Sequence, residues 1–299
     1  MITVLGSINM DLIASTPRLP EPGETVAGTG FSTAAGGKGA NQALAARRAG
    51  SMVRMAGAAG RDEFADPALA LLSDAGVDLS AVNRVDGPTG TALILVGGDG
   101  ENMIAVVPGA NGTVTAGQAE EAVAAMAAGD VLMLQLEIPS LAVEAALQAA
   151  KVKGVTSVLN TAPITGDAVR LAELADIVIA NETEFELLIE RSELTPQERL
   201  EALQQVHAQT GQTFIITLGA DGVIAARDGK LHQVQGLAIN PVDTVGAGDT
   251  FCGYLAAGID NGLPFEEALR RAAVAGSLAC LKHGAQPSIP TAAEVAGQL

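Results

Sequence analysis

Six short apolar runs rich in Val and Ile, "ITVLG", "MVRMAG", "VLMLQL", "VTSVLN", "DIVIA" and "TFIITLG", alternate along the chain with Ala-rich segments of helical period. A chain that alternates in this way lays successive strands side by side and returns over the sheet through a helix each time. The pattern predicts an α/β fold with a central, mainly parallel sheet flanked by helices. Helices are expected over 39–49, 62–75, 115–128, 139–152 and 196–210. No stretch reads as a linker, a repeat or a low-complexity tract, so residues 1–299 are expected to form a single domain.

Two regions break the alternation and read as hairpins. "TALILVGGDGENMIAVV" (91–107) is a pair of apolar strands around glycines and an aspartate that favour a tight turn. "DLIAS" and "ETVAGTGFSTA" flank "TPRLPEPG", whose prolines and glycine interrupt both helix and strand. These pieces are expected to form a small antiparallel sheet that covers a site, pairs with another subunit, or is a plain surface excursion.

Composition narrows the function. The core must be aliphatic, because 48% of the 299 residues are hydrophobic but only six Phe and one Tyr occur, with no Trp. Few aromatics leave little for base stacking, and a formal charge of −17 repels a polyanion, so nucleic acid is not an expected partner. Phosphate, if bound, must be held locally by backbone NH groups, a cation or a few placed basic side chains. The two cysteines, Cys252 and Cys280, show no CxxC spacing and read as buried thiols in a reducing compartment. The N-terminal run carries no basic leader and no apolar stretch is long enough to cross a bilayer, so a soluble, cytoplasmic protein without a membrane partner is expected.

Two glycine-rich stretches, "AAGGKGANQA" (34–43) and "DTVGAGDTF" (243–251), each precede an apparent helix. Neither matches a P-loop or the GxGxxG dinucleotide fingerprint. In "GAGD", Gly246 and Gly248 bare the backbone beside a helix start, where unpaired NH groups and the positive end of the helix dipole make an anion hole. Asp249, in the first turn, complements that dipole or accepts a proton. The pairing of a carboxylate with an anion hole favours phosphoryl transfer, in which NH groups hold phosphate charge and the carboxylate takes a hydroxyl proton.

Further candidates lie after the predicted strands, where α/β sheets bind ligands. "SINMD" places Asn9 and Asp11 in the loop after the first strand, two apart and pointing the same way, as needed to hold adjacent sugar hydroxyls. "QLE" ends another buried strand in Glu137. In "NETE", Asn181 and Glu184 either form a capping box or hold the water shell of a magnesium ion. "TLG" with "ADG" (217–222) is a strand end and turn able to pass close to a nucleotide. His207, His232 and His283 lie in unrelated contexts and read as surface or satisfied side chains.

Taken in order, "GSINMD", "PGETV", "GGKGANQA", "GENMI", "QLE", "NETE", "TLG", "VDTVGAGDTF" and "HGAQPSIP" resemble the ribokinase-type family of sugar and nucleoside kinases over nearly the whole chain. The resemblance implies a ribokinase-like three-layer fold with a small β-sheet lid, formed here by segments about 11–35 and 89–108, that commonly serves as a homodimer interface. It implies ATP-dependent phosphorylation of D-ribose at its 5-hydroxyl. Asn9, Asp11, Gly37, Lys38, Asn41 and Glu137 would bind the sugar, with Asp249 as base and Gly246, Ala247 and Gly248 as anion hole. ATP would meet Asn181, Thr217, Leu218, Gly219, Ala220, Asp221, Gly222 and Gly248, and Asn181 and Glu184 would organise Mg²⁺ waters. A K⁺ activator would take the Asp243 carboxylate, main-chain oxygens of Val245, Ala279, Lys282 and Gly284, and the Ser288 hydroxyl. Ala273 stands where a ribokinase can place a histidine or asparagine near the adenine, which leaves nucleotide preference open.

Within the family, kinases of deoxyribose, fructose, ketodeoxy acids and nucleosides share the "GAGD" element. Asn9, Asp11 and "GGKGAN" favour ribose, since a deoxy sugar would leave buried polar groups unpaired. A sugar-binding module without catalysis would need neither Asp249 nor the glycine loop, and a nicotinamide-dependent oxidoreductase would need the missing fingerprint.

Overall fold

The computed structural model describes residues 1–299. Nine strands form the main sheet: β1 (Ile2–Leu5), β4 (Val53–Ala59), β5 (Asp78–Arg84), β8 (Val131–Leu134), β9 (Thr156–Asn160), β10 (Ile177–Asn181), β11 (Thr213–Thr217), β12 (Val223–Arg227) and β13 (Lys230–Val234). They are ordered β13-β12-β11-β10-β9-β8-β1-β4-β5. All neighbours from β5 to β11 pair in parallel, and only the β11–β12 and β12–β13 pairings are antiparallel.

Period-two alternation along the strands feeds two separate cores. Val131 and Met133 of β8, and Ile177 and Ile179 of β10, pack under α1 (Lys38–Arg48), α2 (Ala65–Asp74), α8 (Ala247–Asp260) and α9 (Phe265–Ala279). Leu132, Leu134, Val178 and Ala180 face the other way, under α3 (Ala116–Ala124), α4 (Ser140–Lys153), α5 (Ala168–Ala172), α6 (Glu182–Leu188) and α7 (Pro196–Thr210). Strands buried on both faces read as continuous apolar runs, which is why they were visible in the sequence. Short helices α10 (Ala285–Ser288) and α11 (Ala292–Ala296) close the chain. No helix is long and apolar enough to cross a membrane.

A second sheet of four strands, ordered β3-β2-β6-β7, comprises β2 (Asn9–Ser15), β3 (Gly30–Gly36), β6 (Gly90–Val96) and β7 (Asn102–Val107). The hairpin expected over 91–107 forms as β6 and β7. The other expectation needs correction: residues 24–29 of "ETVAGTGFSTA" are not strand, because β2 offers only seven partners, from Asn9 opposite Gly36 to Ser15 opposite Gly30. The sheet is also mixed rather than antiparallel throughout, since β2 and β6 run parallel.

Local chemistry sets the helix bounds. Thr115, Thr195 and Thr291 each close a capping box with Gln118, Glu198 and Glu294. The helix expected over 62–75 begins only at Ala65, because the Asp62 carboxylate is drawn to the Thr89 NH (2.7 Å) and hydroxyl (2.6 Å). That expected over 115–128 ends at Ala124, and Asp130 instead accepts from the Ala127 NH (2.8 Å) in the following turn.

Candidate active site

The site is assembled at the carboxyl ends of the parallel strands, where diverging connections open a crevice. Asp249 reaches it from the first turn of α8 and is 6% exposed. Its Oδ2 accepts from Asn41 Nδ2 (2.9 Å) and its Oδ1 from Gln42 Nε2 (3.0 Å), so α1 grips the carboxylate on both oxygens. The two helices approach closely because a Cβ on Gly253 would lie 2.5 Å from Ala45 Cβ.

Around Asp249 gather the other acidic and basic candidates. Glu137 lies three residues beyond the end of β8 rather than at it; its Oε2 accepts from the Ser7 hydroxyl (2.5 Å) and from the Lys38 NH (3.0 Å). Asn9 and Asp11 are not in a loop: they sit at the start of β2, whose pleat points both to one face. Asn9 is buried, and Asn111 Nδ2 donates to its Oδ1 at 2.7 Å, which leaves the Asn9 amide NH₂ for a ligand. Asn41 Oδ1 is likewise buried, and it has no protein partner. Gly37, at φ +88°, brings the start of α1 against the Asn9 NH, where a Cβ would come within 2.8 Å.

Burial, together with the Glu137 and Asp249 carboxylates, pushes the Asp11 carboxyl up to about 6. The Asp249 carboxylate in turn holds the Lys38 ammonium above its ordinary range, against the opposing effect of burial, with smaller help from Glu137 and Glu184. Three carboxylates and one ammonium thus share a site suited to polar, hydroxyl-bearing ligands.

Gly246 takes φ +78° as the N-cap of α8, and Gly248 is exposed with open space where a Cβ would stand. NH groups of the first turn therefore face an approachable surface. Beside it, Asp243 Oδ1 accepts from the Val245 NH (2.9 Å) and Oδ2 from the Gly284 NH (2.9 Å), which ties the glycine loop to the segment after α9. Ser288 is fully buried and its hydroxyl donates to the Ala285 carbonyl (2.8 Å); the ammonium of Lys282 is drawn off to Glu294 (3.2 Å). The Asp243 carboxylate and the Ser288 hydroxyl are hard oxygen donors of the kind a monovalent cation takes, and the exposed His283 ring lies 4.0 Å from Asp243.

Asn181 and Glu184 form the capping box of α6, with bonds of 2.8 and 2.9 Å. The Glu184 Oε2 is used there and by the Thr161 hydroxyl (3.3 Å), while Oε1 has no protein partner. The box therefore leaves one carboxylate oxygen able to hold a metal-bound water. Asn181 pairs in register with Thr217 at the end of β11, so the box adjoins the turn Thr217–Gly222. In that turn Leu218 donates to the Gly222 carbonyl (2.8 Å), Gly219 is open at φ +57°, and Ala220 and Asp221 are exposed.

A family model for pfkB carbohydrate kinases matches residues 1–292. The chain belongs to the pfkB family of carbohydrate kinases. This kinase is 39% identical to the ribokinase of Haemophilus influenzae, over 98% of its own length and 96% of the relative's. It is 32% identical to a deoxyribokinase of Salmonella typhi, covering 97% and 95% of the two chains. Its fold is ribokinase-like: a solved ribokinase of Arabidopsis thaliana, in complex with ribose and ATP, superposes with a TM-score of 0.88 at 32% identity, covering 99% of this chain and 97% of that one.

Several residues that shape this kinase's site carried no signal of their own in the sequence. Ser7, Gln42, Asn111, Gln135, Asn160 and Thr161 are all drawn into the network just described or its continuation. The usable signal was a polar residue at a position that should be buried: Gln42 within "NQALAA" and Gln135 after four buried residues of β8 are both 0% exposed. The histidines are satisfied or exposed. His207 is bonded at both ring nitrogens, to the Gln212 carbonyl and the Gly229 NH, His232 packs edge-on against Phe265, and His283 is exposed 4.0 Å from Asp243. A surface cavity of about 500 Å³ beside His207 and Lys230 contains none of the residues around Asp249. Cys252 is buried and Cys280 half-buried, and both are free.

Proposed function

We propose that this kinase transfers the γ-phosphoryl group of ATP to the 5-hydroxyl of D-ribose, with Asp249 as the base. One observation carries the reading: a buried carboxylate, gripped on both oxygens, stands in the first turn of a helix whose NH groups face open space at Gly248. Similarity to ribokinases over nearly the full chain supports the choice of ribose.

Ribose is bound by Asn9, Asp11, Gly37, Lys38, Asn41 and Glu137. The free Asn9 donor and Asn41 acceptor complement vicinal hydroxyls, and Lys38 offsets the surrounding negative charge. Asp249 takes the hydroxyl proton as the new O–P bond forms and the bond from the γ-phosphorus to the bridging oxygen breaks, releasing ADP. The NH groups of Gly246, Ala247 and Gly248 hold the equatorial phosphoryl charge. Because such transition states are loose, the base contributes roughly 10²–10⁴-fold, with positioning and electrostatics supplying the rest. The adenosine side is held by Asn181 and Thr217–Gly222. Magnesium, when bound, neutralises phosphate charge, and Asn181 with Glu184 Oε1 would hold its waters. Potassium, when bound between Asp243, Val245, Ala279, Lys282, Gly284 and Ser288, would order the loop that aims the NH groups.

We assign the four-stranded sheet, within one catalytic unit of residues 1–299, to a lid over the sugar. Its outer strand supports a homodimer, because all six residues of β7 are exposed and Met103, Ile104, Val106 and Val107 are apolar. A cytoplasmic location is consistent with two free thiols.

The test is a coupled ADP-release assay with ribose, deoxyribose, fructose, a ketodeoxy acid and nucleosides, on the parent and on Asp249→Asn. Ribose is expected to give the highest kcat/KM, and the variant to lose about 10²-fold or more. Another substrate ranking first overturns the sugar assignment, and full activity in the variant overturns the mechanism. Activity is also expected to fall when K⁺ is replaced by Na⁺ or a bulky organic cation.

A further inference from the structure

Asp249 has been assigned a proton-accepting role, and one of the groups that hold it, Gln42, belongs to no sugar, nucleotide or metal contact. Gln42 is 0% exposed, and its carboxamide is fully used: Nε2 donates to Asp249 Oδ1 (3.0 Å) and to Asn160 Oδ1 (3.2 Å), while Oε1 accepts from Gln135 Nε2 (2.7 Å). Asn160 is itself oriented by its donation to the Ile179 carbonyl (3.3 Å), so its oxygen is turned to Gln42. Flipping the Gln42 amide would set oxygen against two acceptors and NH₂ against a donor, so the network permits one orientation only.

Gln135 reads as the group that fixes this orientation. It too is 0% exposed, at the end of β8, and its own Oε1 is buried with no partner, lying over Gly6, where a Cβ would overlap it. A side chain present only to fill space would not carry an unpaired buried oxygen, which Met or Leu avoids. The amide is retained for the hydrogen bond its nitrogen donates.

We infer that Gln135 and Gln42 form a buried amide relay that fixes the position and lone-pair direction of the Asp249 carboxylate. Gln42 is a positioning residue: it touches no substrate and acts through Asp249. With Oδ1 held by Gln42 and Oδ2 by Asn41, the carboxylate cannot rotate, and its remaining lone pairs stay turned to the crevice. This inference rests on the assignment of Asp249 as base.

Steady-state kinetics on Gln42→Met and Gln135→Met, both near in volume to the parent, test it. Gln42→Met is expected to lower kcat about 10- to 100-fold, since a misdirected reacting group costs up to roughly 10²-fold, with the KM values for ribose and ATP within about twofold. Gln135→Met should lower kcat less, about 3- to 10-fold, and the double variant should be no slower than Gln42→Met, because both act along one chain. Should Gln42→Met fail to fold, the kcat and KM of Gln135→Met decide alone. Parent-like kcat in both variants, a loss carried by KM, or multiplying losses in the double variant would overturn the relay. Asp249→Asn, measured alongside, separates the two claims: full activity there defeats the base assignment itself, whereas a crippled Asp249→Asn with a parent-like Gln42→Met defeats the relay alone.

Discussion

At Gly246 the backbone takes φ +78°, and a Cβ would lie 2.9 Å from both Cα and Cβ of Ala285, so glycine is required there by conformation and by packing. Gly248, two residues on, meets nothing within 4 Å. Gly246→Ala should therefore lower stability by about 1–3 kcal/mol, read as a shift in urea midpoint. Gly248→Ala should leave that midpoint unchanged yet cut kcat, by about 10²-fold if the methyl displaces the phosphoryl group by an ångström. Asp11 gives a second prediction. Its folded carboxyl is raised to about 6, above its unfolded value, so its ionisation opposes folding: the penalty is absent below the unfolded pKa near 3.8 and complete above about 6. Asp11→Asn should raise Tm at neutral pH more than at pH 4. The same proton weakens Asp11 as a hydroxyl acceptor, so the parent's KM for ribose should rise about fivefold as pH falls through 6, a step missing in Asp11→Asn.

Among the elements, β7 stands out because it exposes both of its faces and an unpaired edge. Light scattering should find a homodimer, and Ile104→Lys with Val106→Lys should convert it to monomer. Legible in the sequence were the six apolar runs, which became strands β1, β4, β8, β9, β10 and β11, and the glycine-turned hairpin, which became β6 and β7. The strand β5, "DLSAVNR", was not, because an edge strand with polar residues on its exposed positions carries no continuous apolar signal. Helix starts erred where a side chain made a tertiary bond, as Asp62 does with Thr89.

Over the whole molecule, 34 acidic residues oppose 17 basic ones, and the compact state carries their mutual repulsion. Raising tetramethylammonium chloride from about 10 to about 200 mM should raise Tm by roughly 1–2 °C if screening recovers about 1 kcal/mol. Tetramethylammonium is too large for a site suited to K⁺, which keeps screening apart from specific binding.

The sequence by itself determined the layered α/β architecture, the glycine-rich helix start at "GAGD" and the family, because those depend on local periodicity and on motifs a few residues long. Tertiary structure decided which side chains face Asp249. Asn41 and Gln42 lie some two hundred positions away in the chain, and the partners Gln135 and Asn160 come from two further strand ends. A buried amide reveals its role only through the partner it meets, and that pairing exists only once α1 and α8 have packed together on one face of the sheet.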